Sequence, residues 1–547
     1  MILGGLITAA AGAAEPQFLQ DPNFPLIQLP GEYDSHRTTK RFEPKPGEEG
    51  VEILNAKGPG CVRHFWITST ASERLEIEIN CDDAEQPQIK MSMNRFFGVL
   101  LGQKPYRIES APIKLLPKAA DKVKGWHQSY KSGYRDDQGR YAGGSEIMHL
   151  VPHKGKLYAF NGYWTDANYG KQSAQVLRLD EPNGRWQVDL ETNSIGYAHM
   201  KGNILKSVTF TRDKNGRKIN ETLLVAASRG KAVSVFVRDD ATGKWSHTMH
   251  MQGKPGRLVP RDCEIFRDRV TGIDRIFLLV GDPGILSGAY NSETKSIEWD
   301  AKREHPQDDS VFPARPLGIA EANDRLYFSV GGKIFVRYDG PEPEWTLAFT
   351  IPGKVNTDVG GIRGLSTIKN PIGPGESLIF VWTPAGRCAG EIKRLDGPDL
   401  KPAEDETSLR ELFNKAMVEE KATAHFSLGG YNRLFPFKHP QTGETVHIVG
   451  YEQRIRADES LIWNHYYAGA CYSIRYNPDE YTPHEVNGRW EPGKQVLVAP
   501  RAFALSPFEG EEDVIYFGGH DANFHPSTDM AWIYKADMAT VLGLNPE

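Results

Sequence analysis

The sequence predicts an all-β protein, a jelly-roll-like β-sandwich segment at the N-terminus followed by a seven-bladed β-propeller. Three observations carry this. First, the stretch from Ala499 to Tyr534 holds three short apolar runs, Ala502-Phe-Ala-Leu505, Val514-Ile-Tyr-Phe517 and Ala531-Trp-Ile-Tyr534, parted by turn-rich text. Runs of this length and composition read as strands. Second, the unit recurs. A basic residue near the start of an apolar run is found at Lys206, Arg261, Arg315, Arg363, Arg433 and Arg501, and a second run follows each time, such as Leu223-Leu-Val-Ala-Ala227 or Leu378-Ile-Phe-Val-Trp382. Third, a tryptophan after a turn opens a late strand at Trp186, Trp245, Trp345 and Trp490, with Trp299 a looser case. The spacing is roughly 45 to 70 residues, the size of a four-stranded blade with insertions.

The 547 residues suffice for one large propeller and an appended domain. With 39% apolar and 25% charged residues the composition is that of an ordinary globular chain. The net charge of −6 excludes a bulk basic signature for nucleic acid, so an anion site has to come from local placement. Residues 1–14 are apolar and end in small residues, as a secretory leader does, although its basic start is missing. The expected location is therefore secreted or periplasmic, and no run is long enough to span a bilayer. Of five cysteines, Cys61 and Cys81 bracket one predicted hairpin and can pair if their strands are neighbours. Cys263, Cys388 and Cys471 read as small buried hydrophobes, and the absence of CxxC argues against a cysteine zinc site.

Residues 15–117 form the expected sandwich domain. Leu75-Glu-Ile-Glu-Ile79 alternates as a half-exposed strand should. The series Gly58-Pro-Gly-Cys-Val-Arg-His-Phe-Trp-Ile-Thr68, a strand ending near Asp82-Asp83, and the Phe96-Phe-Gly98 turn together resemble the opening of glycoside hydrolase family 172. The resemblance covers under a fifth of the chain. It implies a jelly-roll segment and a carbohydrate context, and it transfers no catalytic residue.

Residues 118–144 mix Lys, Gly, Tyr, Asp and Arg without period and read as a linker. The propeller is expected over 145–547, with blades starting near 145, 204, 260, 314, 361, 431 and 499. The last repeat has only three strands, so the segment near Ile108–Leu116 is expected to supply its outer strand and close the ring. Thr407-Ser-Leu-Arg-Glu-Leu-Phe-Asn-Lys-Ala-Met417 is the one helical pattern, opened by an N-cap and inserted in the fifth blade.

The repeat places Lys206, Arg261, Arg315, Arg363, Arg433 and Arg501 at one mouth of the channel, where planar guanidinium forks bind carboxylate or sulfate. Turns between second and third strands reach the same mouth and carry Trp164, Asp166, Arg387, Tyr451, Glu452, His520 and Asp521. His149 takes the place of the missing cation in the first blade. The expected partner is an acidic polysaccharide or oligosaccharide. His520, His149, Tyr451 and Asp521 are the candidate catalytic groups, and Lys206, the five arginines, Trp164 and Arg387 the candidate binding groups. The leading reaction is β-elimination, which needs a base and stabilisation of an enolate. Hydrolysis by two carboxylates is the alternative, and glycan or protein binding without catalysis is a third. No cofactor is required by any motif; Ca²⁺ is compatible with the turn carboxylates, but no calcium loop is present.

Overall fold

The computed structural model describes Ile2–Leu6, Glu76–Asn80, Ile89–Ser92 and most of residues 125–544. The chain divides into two units, residues 1–111 and 112–547. In the first, Glu76–Asn80 pairs in antiparallel fashion with Ile89–Ser92 and in parallel with Ile2–Leu6, which lies in the leader-like segment. Cys61, Cys81 and residues 108–116 lie outside the described residues.

The second unit is the propeller. Blade 1 comprises Glu146–His153, Lys156–Gly162, Gln175–Leu179 and Gln187–Glu191. Blade 2 comprises His199–Arg212, Lys218–Gly230, Ala232–Asp239 and Lys244–Gln252. Blades 3 and 4 are the meanders from Cys263 to Trp299 and from Pro316 to Thr350. Blade 5 runs from Gly361–Lys369 to a short outer strand, Lys401–Pro402. In blade 6 the innermost strand is broken. Thr423–Gly429 and Phe435–Lys438 both pair with Thr445–Arg456, and Cys471–Asn477 and Glu480–Glu485 follow. Blade 7 has Ala499–Leu505, Val514–His520 and Trp532–Asp537.

Each strand rich in continuous apolar residues is buried on both faces. In blade 2, Leu223, Val225 and Ala227 join a cluster with Ile276 and Leu278 of blade 3, while Leu224 and Ala226 pack with Tyr158 and Phe160 of blade 1. Six further strands repeat this, and seven apolar clusters fill seven blade-to-blade interfaces. The ring is closed: blade 7 shares one cluster with blade 6 and another with blade 1.

The outer strand of blade 7 does come from the N-terminal side, but from His127–Lys131, which pairs with Trp532–Asp537. This corrects two expectations, the choice of Ile108–Leu116 and the reading of 118–144 as linker, since Tyr134–Arg135 and Tyr141–Ala142 are paired as well. The segment was hidden because an outer edge strand needs little apolar surface; of its five residues only Tyr130 is buried. The helix, Leu409–Ala416, begins after the outer strand of blade 5, and Ser408 Oγ accepts from the Glu411 amide as its N-cap.

Candidate functional site

Innermost strands begin, and second strands end, at one face of the disc. Seven charged or aromatic side chains meet there. Glu146 of blade 1 joins its neighbours: its Oε1 lies 2.5 Å from Lys201 Nζ of blade 2, and its Oε2 accepts from Arg501 of blade 7. Arg501 Nη2 also lies 3.8 Å from Glu452 Oε2 of blade 6, whose oxygen is 3.4 Å from His520 Nε2. The Arg501 guanidinium rests 3.9 Å from the centroid of the Tyr431 ring, with Arg363 5.6 Å from it. All but Tyr431 are buried.

Arg501 reaches this position through backbone irregularity. The register slips between Pro500 and Ala502, so Arg501 is the extra residue of a β-bulge. The same slip occurs at Met148, Asn203 and Leu317, and over Gly364-Leu365. Bulges re-aim a side chain. Five of the seven blades thus carry an irregularity near the start of the innermost strand.

Between the halves of the broken strand of blade 6, residues 430–434 enter the axial channel. Asn432 Nδ2 donates to the carbonyls of Met148 and Arg501, both at 2.7 Å. Arg433 spans to blade 3, with Nε 3.2 Å from Asp262 Oδ2 and Nη1 on Glu264. The Leu434 amide donates to Ser366 Oγ of blade 5 at 2.8 Å. Gly364 makes room: a Cβ there would stand 2.4 Å from the Asn432 carbonyl, and its φ of +59° suits glycine.

The predicted cations therefore separate into two tiers. In the inner tier Lys206 lies 3.1 Å from Glu264, and Arg433 is tied to Asp262 and Glu264. In the outer tier are Arg501, Arg363 and Arg261, the last felt electrostatically by both Glu146 and Lys201. Lys201 joins them, and sequence reasoning passed it over because it stands five residues before Lys206, the residue taken as the repeat's counterpart. The register makes Asn203 the counterpart of Arg501. Arg315, Trp164, Asp166, Arg387 and Asp521 lie outside the described residues.

Of the candidate catalytic groups, His520 is in the cluster and Tyr451 is not. Neighbours in a strand face opposite sides. Glu452 meets Arg501, so Tyr451 turns into the core between blades 5 and 6, where its hydroxyl is 3.0 Å from Ser473 Oγ. His149 lies with Nε2 2.7 Å from the Asn203 carbonyl. Burial pushes its pKa down to about 4, so the ring is neutral and Nε2 carries the proton that it donates.

Burial raises the Glu146 carboxyl, but Lys201, Arg501 and Arg261 outweigh this and hold it below its ordinary value. For Glu452 burial prevails over Arg501 and its pKa is raised. Burial, reinforced by Arg501 and Arg261 against the pull of Glu146, lowers Lys201 to about 7. His520 falls well below its usual value through burial, then Arg501 and Lys201. The site thus contains an ionised carboxylate, a carboxyl biased toward its acid form, an amine poised near neutrality and guanidinium groups. Several buried atoms lack a hydrogen-bond partner: Arg501 Nε, Glu452 Oε2, both His520 ring nitrogens, and Nδ2 and Oδ1 of Asn203. Among the described residues no group of His, Cys, Asp and Glu is placed to hold a metal, and no helix is long and apolar enough to cross a membrane.

Residues 30–125 match the GH172 first β-sandwich domain. No curated protein matches the chain. Among solved structures, an ancestral GH74 enzyme is 9% identical over 76% of this chain and 51% of its own, with a TM-score of 0.41. The WD40 domain of SCAP from fission yeast is 7% identical over 72% of this chain and 84% of its own, with a TM-score of 0.34. The lectin SapL1, solved with α-methyl fucoside, is 9% identical over 64% of this chain and 98% of its own, with a TM-score of 0.33. Likenesses at this level say nothing of activity. The chain is a β-sandwich joined to a seven-bladed propeller. Its glycoside hydrolase family domain supports a carbohydrate-active protein.

Proposed function

We propose that this protein is an exported enzyme that cleaves an acidic polysaccharide at the outer-tier mouth by β-elimination. The observation that carries the reading is the placement of Arg501 beside Lys201, Glu146 and Glu452. Arg501, with Arg363 nearby, holds the uronate carboxylate and stabilises the enolate that forms on it. Lys201, with a pKa near the working pH, removes the proton on the carbon next to that carboxylate. The electron pair moves to form the C4–C5 double bond as the C4–O bond breaks. Glu452, biased toward its protonated form, gives its proton to the departing oxygen. His520 stays neutral beside Glu452 and helps to orient it.

Hydrolysis is the second reading. It is favoured by the opposite shifts of Glu146 and Glu452, the sign of a carboxylate and acid pair, and by the domain matched over residues 30–125. Incubation with polygalacturonate, alginate and sulfated glycans separates the readings. New chain ends with the ultraviolet absorbance of a conjugated uronate support elimination. Ends without it establish hydrolysis, and retention on the polymer without new ends leaves a binding module. Export is tested by N-terminal sequencing of the protein recovered from periplasm and medium.

A further inference from the structure

Asn203 is 2% exposed, and neither its amide nitrogen nor its amide oxygen has a hydrogen-bond partner. A buried amide with both ends unsatisfied is costly, and such a group in a folded protein calls for an explanation. The register supplies one. Asn203 is the bulged residue of blade 2, between Gly202, opposite Ser228, and Ile204, opposite Ala227. Arg501 holds the same position in blade 7 and Met148 in blade 1. The bulge in blade 2 is pinned from blade 1, since His149 Nε2 donates to the Asn203 carbonyl at 2.7 Å. Glu146 links the flanking positions, with Lys201 on one oxygen and Arg501 on the other.

The chemistry of the missing partner follows from the amide. Nδ2 needs an acceptor and Oδ1 needs a donor. A carboxylate or sulfate offers acceptors alone and would leave Oδ1 unsatisfied. A pair of adjacent sugar hydroxyls offers both. We propose that Asn203 is a specificity residue that binds two neighbouring hydroxyls of the sugar whose carboxylate Arg501 holds, so that the site selects a uronate by its ring as well as by its charge. This rests on the reading of Arg501 as the carboxylate-binding residue.

The test uses the full chain and two probes that are not cleaved, D-galacturonate and glycolate, with binding followed by ligand-detected NMR. Asn203→Ala is expected to weaken galacturonate by about 3–10-fold, the worth of one or two neutral hydrogen bonds, and to leave glycolate unchanged. Asn203→Leu, which keeps the size, stays neutral and removes both donor and acceptor, is expected to show the same selectivity and serves if the alanine variant does not fold. Equal weakening of both probes, or of neither, overturns the role of Asn203. Arg501→Gln separates the two ideas. If it abolishes both probes while the Asn203 variants change nothing, the carboxylate site stands and the hydroxyl site falls. If it changes neither probe, the carboxylate site itself is wrong.

Discussion

Arg433 of blade 6 reaches across the propeller axis to Asp262 of blade 3, placing Nε 3.2 Å from a carboxylate 171 residues away in the chain. Glu264 binds the same guanidinium. The contact makes the broken strand of blade 6 a brace through the centre of the ring, and it uses a cation that the sequence presents as a ligand for substrate.

Removing one partner of this brace leaves charges without compensation. Arg433→Ala is expected to cost about 2–3 kcal/mol, below the 3–5 kcal/mol of a fully buried pair because these side chains remain a sixth to a third exposed. Urea unfolding measures it. Burial raises the Glu264 carboxyl, but Arg433 and Lys206 outweigh it and bring it down to about 2. Its folded value lies below its unfolded value of about 4.3, so its contribution is present above that pH and is lost as pH falls toward 2. The acid sensitivity of stability in this window should be reduced in Arg433→Ala.

Lys201 gives a pH signature of the same sign in a higher window. Its folded pKa, about 7, is below the unfolded value. From about pH 7 to pH 10.5 the unfolded chain binds more protons, so this group makes stability rise with pH across that interval. If it is the base, kcat/KM rises through about pH 7 as the amine becomes neutral. His520, neutral over the whole range, would give no such limb. Lys201→Met should lower kcat by about 10²–10⁴-fold and abolish the limb. A persistent limb near pH 7 in that variant assigns it to another group.

A second set of contacts ties blades 2, 4 and 6 each to the one before it. Arg238 Nε and Trp245 Nε1 of blade 2 both donate to Asp189 of blade 1, at 2.8 and 2.7 Å. Arg337 and Trp345 of blade 4 use Glu304 in the same way, at 2.9 and 2.8 Å. Arg475 and Tyr481 of blade 6 share Glu406. Glu304→Ala should cost about 2–3 kcal/mol. That is less than the full penalty for a stranded buried charge, because Arg337 keeps Asp268 and Asp339. Glu304→Gln, which preserves an acceptor, should cost less. Thermal unfolding of the two variants checks the order.

Closure depends on Tyr130, buried and donating to the Gly143 carbonyl at 2.7 Å. Tyr130→Ala should cost about 3–5 kcal/mol, as large aromatic truncations in cores do. A chain starting at residue 133 should melt well below one starting at residue 112, because blade 7 loses its outer strand. Equal melting temperatures for the two chains would show that the strand is dispensable.

The propeller was legible because the second strand of every blade is buried on both faces, so runs such as Leu278-Leu-Val280 and Leu326-Tyr-Phe328 survive degeneration of the repeat. The tryptophans were legible as punctuation. Their purpose was not, since it needs an acid from the preceding blade, and Asp189 lies 56 residues from Trp245. A recurring Arg-x-Asp in third strands, as in Arg238-Asp-Asp240 and Arg337-Tyr-Asp339, was the signal that could have exposed these ties. The arginine ring was read in part. Arg501 was placed at the mouth, but charge pairing across the channel is set by geometry that no local pattern encodes. The bulges shifted the count in blade 2, so Lys206 was aligned where Asn203 belongs.

The edge that seals the ring has a consequence for how the molecule is made. Gln128 and its partner Tyr534 are separated by 406 residues, so one leaves the ribosome long before the other exists. At about 5–20 residues per second, the early segment waits on the order of 20–80 s for its mate. For that time blade 1 presents an uncovered flank to the cell. A nascent chain of this design needs either a chaperone that occupies the flank or a translocation path that holds the chain unfolded until its end has been synthesised.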